Sequence, residues 1–160
     1  MIDPATEVAN LLANCRSLLL ATMDANGIPQ ASPAPFIHDD VGQFHVLVSA
    51  MAPHTPHLAG HKPTGIMLIE DEKDALQIFA RKRVSYTCNV TEIFRDTHTC
   101  QELMDRFNSQ FGPIVDRLAE LPDFRMFRLH PVSGRLVVGF GHAYRLEGSL
   151  ITPIGPHDLN

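Results

Sequence analysis

The stretch from Phe124 to Leu146 constrains the fold of this chain more than any other, because apolar residues recur in it with the period of two that a half-buried strand needs. Phe124 to Leu129 alternates apolar and polar, Pro131 to Gly134 supplies a turn, and Leu136 to Leu146 alternates again, so a β-hairpin is expected. On its second strand Leu136, Val138, Phe140, His142 and Tyr144 take one face, while Val137, Gly139, Gly141 and Ala143 leave the other nearly bare. Glycine inside a strand weakens it by about 0.5–1 kcal/mol relative to alanine. A bare face therefore points to the close approach of a backbone or a flat ligand, or else to a bulge or barrel bend.

At 160 residues the chain suits one domain with a real core. A net charge of -5, with 13 Lys plus Arg mostly dispersed, argues against a nucleic-acid partner, although Arg81-Lys82-Arg83 is a local exception. Cys15, Cys88 and Cys100 have neither disulfide-framework nor zinc-finger spacing, which suits a reducing cytoplasm. The start Met-Ile-Asp-Pro lacks a basic leader, and no apolar run approaches the ~20 residues of a membrane span. A soluble, unsecreted protein without a membrane partner is expected.

Asp3 before Pro4 predicts a helix over residues 4–15. Strands are expected at Ser17 to Met23, Gln30 to Phe36, Phe44 to Ser49, Gly65 to Glu70 and Val84 to Phe94, with another starting at Gln77 to Phe79. Residues 51–61 suggest a short crossing helix, and two helices should lie between Leu103 and Pro122. These elements describe an α+β chain whose antiparallel sheet closes into a small barrel. Residues 148–160 form a tail expected to add little to the core.

ATMDANGIPQASPAPF, VSAMAPHTPHL, IEDEKDALQIFARKR and LPDFRMFRLHPVSGRLVVGFGHAY together resemble the haem-utilisation proteins of the HugZ/HutZ type. That group lies within the pyridoxamine 5'-phosphate oxidase-like, FMN-binding split-barrel superfamily. The resemblance covers almost the whole chain. It implies a six-stranded antiparallel split barrel over 1–147, a tail (148–160) that contributes to the ligand site, and a homodimer with ligand clefts between subunits. It also implies a cytoplasmic haem-degrading oxygenase that draws on an external electron donor. The alternatives are an FMN-binding oxidoreductase and a non-catalytic haem carrier.

Haem needs an axial ligand, an apolar slot, and donors for its propionates. By resemblance, His157 in the tail is the iron ligand, and Asp123 is the carboxylate near the cleft that tunes it. A turn or cap aspartate is the plainer reading of Asp123, and a solvated histidine that of His157. Arg83, with Arg81 and Lys82, is expected to hold a propionate or an FMN phosphate, because guanidinium groups bind such anions by paired hydrogen bonds. Strand alternation sends Arg81 and Arg83 to one side and Lys82 to the other. His54 matches the histidine of the superfamily's crossing helix and is a second candidate donor to an anion. His54, His57 and His61 have H-x2-H-x3-H spacing, a weak zinc signal with no further ligand nearby.

Overall fold

The structure is a computed structural model, and it describes residues 1–158. Asp3 caps α1 (Pro4–Asn14) by accepting the Thr6 N–H at 3.2 Å, and Pro4 occupies a first turn where its missing donor costs nothing. β1 (Ser17–Met23) and β2 (Pro29–His38) form a hairpin around Asp24, whose carboxylate accepts the N–H groups of Asn26 and Ile28 at 2.8 and 2.9 Å. β3 (Phe44–Ser49), α2 (His54–Ala59), β4 (Thr64–Ile69) and β5 (Arg83–Ile93) follow. Then come α3 (His98–Phe111), α4 (Ile114–Glu120), β6 (Phe124–Gly139), β7 (His142–Glu147) and β8 (Leu150–Pro153).

The strands pair antiparallel in the order β3-β2-β1-β4-β5-β6-β7-β8, and β3 also pairs with β6. That additional pairing closes β3-β2-β1-β4-β5-β6 into the six-stranded barrel that the resemblance implied. β6 makes closure possible by changing partners along its length: Phe124 to Leu129 pairs with β3, and Gly134 to Gly139 pairs with β7 outside the ring. β5 accompanies it nearly throughout, from Ile93↔Met126 to Arg83↔Val137.

Alternate residues of the ring, among them Leu18, Leu20, Phe36, Val46, Ile66, Val84, Cys88, Phe127 and Leu136, fill the interior, joined by Leu11 of α1 and Leu58 of α2. A second cluster of Ile37, Ile93, Leu103, Phe107, Val115 and Met126 seats α3 and α4 on the outside of the barrel.

Three expectations are corrected. The turn expected at Pro131 to Gly134 does not form, and β6 runs through it unbroken. Pro131 lies where β6 has left β3 and has not yet met β7, opposite a register shift at Thr87/Cys88, so its missing N–H breaks no ladder on that side. The hairpin turn instead falls at Gly139 to Gly141, where Gly139 has φ +154° and Gly141 φ +72°. These glycines serve the turn and are not the bare face of a strand. Gln77 to Phe79 starts no strand: Ile78–Ala80 is a 3-10 turn, opened by the Gln77 side chain accepting the Phe79 N–H. The tail adds β8, paired to β7 from Glu147↔Leu150 to Tyr144↔Pro153, with Ile151 against the core.

Candidate functional site

The basic run divides at the start of β5. Because the strand begins at Arg83, alternation does not extend to the two residues before it. Arg81 Nε donates to the Glu70 carbonyl at 3.1 Å, its Nη2 donates to the same oxygen, and its Nη1 lies 3.4 Å from Glu72 Oε1. Lys82 Nζ reaches Glu7 Oε2 of α1 at 2.9 Å, and its N–H donates to Glu70 Oε1 at 2.7 Å. Both residues tie the β4–β5 connection together and border a polar cleft of about 960 Å³ beside α1. Arg83 instead lines a second cleft of about 360 Å³, formed with Phe79, Arg135, Val137, Phe140, Ala143 and Ile154. The expected grouping of Arg81 with Arg83 is thus reversed: Arg81 and Lys82 share one cleft, and Arg83 faces the other.

The smaller cleft follows from strand register. Val137 pairs with Arg83 on one side and Ala143 on the other, and the Ile154 N–H donates to the Ala143 carbonyl at 2.8 Å. A short apolar floor therefore runs outward from Arg83. Phe79 and Phe140 stand beside it, 83% and 68% exposed, which is far from where unsupported aromatic rings normally settle. Gly139 and Gly141 form its lip. Among the described residues Arg83 donates only to the Arg81 carbonyl, at 3.0 Å, which leaves most of its fork uncommitted to them. Flat apolar surface beside guanidinium donors can hold a planar molecule with an acidic edge.

His157 is exposed in the 3-10 turn Pro156–Asp158, immediately beyond Gly155 and Pro156, which line the same cleft. Asp158 Oδ2 accepts the Gly155 N–H at 2.7 Å and closes that turn on itself.

Asp123 lies at the opposite end of β6. Its carboxylate accepts the Ser49 hydroxyl at 2.8 Å, its carbonyl accepts the Ala50 N–H at 2.6 Å, and the Ser49 carbonyl accepts the Thr55 hydroxyl. Asp123 therefore braces the end of β3 against α2. His54 opens that helix. Its Nδ1 is buried without a partner among the described residues, and burial, with His57 nearby, lowers its pKa, so the neutral imidazole is favoured. Between Phe124 and Val137 the strand advances on the order of 40 Å at the usual rise per residue. Within one chain, Asp123 is tied through Ser49 to the start of α2, where His54 lies, Arg83 and the tail border another cleft, and among the described residues no hydrogen bond joins the two regions.

The other two histidines of the H-x2-H-x3-H run are engaged separately. His57 Nδ1 lies 2.9 Å from Thr22 Oγ1, and His61, at φ +55°, turns out of the helix with its Nδ1 3.3 Å from the Val90 carbonyl. Among the described residues no three His, Cys, Asp or Glu side chains are grouped to hold a metal ion. Burial pushes the Cys88 thiol up to about 12, which leaves it an inert core group. Sequence reasoning missed Arg135, Phe79 and Phe140 as site residues: the β5–β6 register, the 3-10 turn Ile78–Ala80 and the Gly139 turn bring them to Arg83.

The sequence profile of the pyridoxamine 5'-phosphate oxidase family matches residues 5–138. The chain is 39% identical over 142 residues to heme oxygenase HutZ of Vibrio cholerae serotype O1, covering 89% of this chain and 80% of that protein. A crystal structure of the Vibrio cholerae protein, described as a heme storage protein, superposes with a TM-score of 0.76 at 36% identity over 81% of this chain and 91% of that one. Campylobacter jejuni ChuZ superposes at 0.86 with 29% identity, over 94% of this chain and 62% of its own. An FMN-binding relative of pyridoxamine 5'-phosphate oxidase from Nostoc punctiforme, at 16% identity and a TM-score of 0.65 over 95% of this chain and 94% of that one, shares the fold.

Proposed function

This chain belongs to the pyridoxamine 5'-phosphate oxidase family, within its haem-utilisation branch of HugZ/HutZ type, and on that premise we propose that it binds haem in the Arg83 cleft and degrades it to release iron. The observation that carries the reading is the cleft itself: exposed Phe79 and Phe140 beside a Val137–Ala143 floor, with a largely uncommitted guanidinium at one end and the histidine-bearing tail at its border. This arrangement fits a flat apolar ring with an acidic edge. His157 would ligate the iron, and Arg83 would grip a propionate. Haem supplies the oxygen chemistry when bound and is also the molecule consumed.

The separation of Asp123 and His54 from Arg83 supports a homodimer as the working unit, since a second copy can bring the other end of β6 to the tail. Asp123 would then accept the second ring N–H of His157, holding its tautomer and strengthening it as a donor to iron. His54, neutral and with a free buried nitrogen, would border the same site. Electrons come from an external donor, and the cytoplasm is the compartment that suits three unpaired cysteines.

Titration of the purified protein with haem and with FMN, followed by absorbance, tests this reading. A Soret band is expected with haem, and His157→Ala should shift or abolish it without unfolding the protein. Reductant and oxygen should then bleach the band in the wild type. Persistence of the band under turnover conditions would favour a carrier. Normal haem binding and breakdown by His157→Ala would remove this histidine as the ligand, and flavin bands unchanged in that variant would favour the FMN oxidoreductase.

A further inference from the structure

We propose that Arg135, supported by Arg145, is a second anion-binding side chain of the Arg83 cleft, so that the site selects a flat ligand with two acidic groups on one edge. The inference rests on the function proposed above. It arises from the register of three adjacent strands. Ser85 of β5 pairs with Arg135 of β6, and Arg135 pairs in turn with Arg145 of β7. Arg83 sits two positions along β5 from Ser85, hence on the same face and diagonal to Arg135, a spacing that long side chains bridge. Three guanidinium groups thus converge on one outer face of a chain whose net charge is -5.

Like charges placed directly opposite in a sheet destabilise it, yet among the described residues neither Arg135 nor Arg145 has an ion-pair partner within 4.0 Å or a side-chain hydrogen bond. Two other basic residues near the sheet are treated differently: Arg125 grips Glu92 with two bonds of 2.8 and 2.7 Å, and Lys82 has Glu7. Glu147, two positions beyond Arg145 on the same face, comes within ion-pairing distance of neither arginine. An uncompensated cross-strand arginine pair is what a sheet retains when the counter-charge arrives with a ligand.

The positions match that role. Arg135 lines the 360 Å³ cleft together with Arg83, and it also borders the neighbouring 690 Å³ depression, where Arg145 lies. Arg83 and Arg135 therefore meet the ligand edge directly, while Arg145 holds Arg135 toward the cleft by repulsion from behind. Two forks along one edge match a pair of carboxylates on neighbouring side arms better than a single terminal phosphate.

Haem and haem dimethyl ester, whose side arms carry no charge, distinguish the contributions. Dissociation constants for both are measured with wild type, Arg83→Gln, Arg135→Gln and the double variant, with thermal melting as a fold control. Wild type should prefer haem over the diester. Each single variant should reduce that preference about tenfold, as for loss of a hydrogen bond to a charged group, with diester affinity unchanged. Arg135→Lys should restore part of it, and the double variant should show none. If Arg135→Gln keeps the wild-type preference while Arg83→Gln loses it, the second anchor is wrong and the haem reading stands. Wild type that binds neither porphyrin, or binds both equally, overturns the proposal; binding of neither overturns the haem reading as well.

Discussion

At Gly134 a hydrogen in place of a side chain lets Tyr86 lie across the β5–β6 pair. A Cβ there would stand 2.5 Å from Cδ1 and 2.8 Å from Cε1 of the ring, and 2.9 Å from the Ser85 carbonyl. The ring also packs 5.7 Å from that of Phe44, and its burial pushes the phenol up to about 12. Gly134→Ala should therefore cost about 1–3 kcal/mol, the range for overpacking a filled site. Denaturant unfolding measures it, and adding Tyr86→Leu should recover part of the loss. A stable Gly134→Ala would mean that the ring moves aside freely. The alternating pattern made β structure legible here, and it marked glycine as the residue permitting close approach. It named Gly139 and Gly141, however, because which glycine faces an aromatic depends on the partner strand, and register is not written in one segment alone. The same holds for Arg135, which shows no local signal until β5 and β7 flank it.

Among the elements, β6 departs most from what its residues suggest. Pro131 with Gly134 reads as a turn by every local rule, and only the exchange of partners from β3 to β7 makes a proline tolerable at that point. The helices and first hairpins were more legible because their caps and turns are local: Asp3, Asp24 and Gly112 act on residues within four positions. β8 was hidden by its brevity and its neighbouring prolines and glycines. Its presence changes what truncation should do. Ending the chain after Ser149 removes a paired strand and uncovers Leu146, and should cost about 1.5–3 kcal/mol for the exposed aliphatic surface. Ending it after Gly155 removes His157 yet keeps the strand pairing and the bond from Ile154 to Ala143. Melting curves should separate the two truncations, with the longer chain near wild type in stability but lacking the normal Soret band. Equal stability of both would make β8 dispensable to the fold.

For the whole molecule, the barrel presents one face that a single chain leaves uncovered. On the outside of β1 and β4, Leu19 and Met23 are 46% and 41% exposed, and Ala21 lies against Gly65, where a Cβ would come within 3.2 Å of its own. Small residues make this surface flat, and it borders the depression that holds Arg135 and Arg145. A flat apolar face of this kind is suited to pairing with another copy of itself. It also lies on the molecule whose candidate site residues are divided between the two ends of β6. The protein should therefore sediment as a homodimer at micromolar concentration. Ala21→Arg, which places a charge in the middle of the face, should yield a folded monomer, because the side chain points to solvent in the isolated barrel. The consequence for function is specific: if Asp123 of one copy serves His157 of the other, the monomer should bind haem weakly through its Arg83 cleft and fail to degrade it. Ligand titration and sedimentation on the same preparation decide the matter. A monomeric variant that turned haem over at the wild-type rate would place the complete site within one chain, against the separation that β6 imposes.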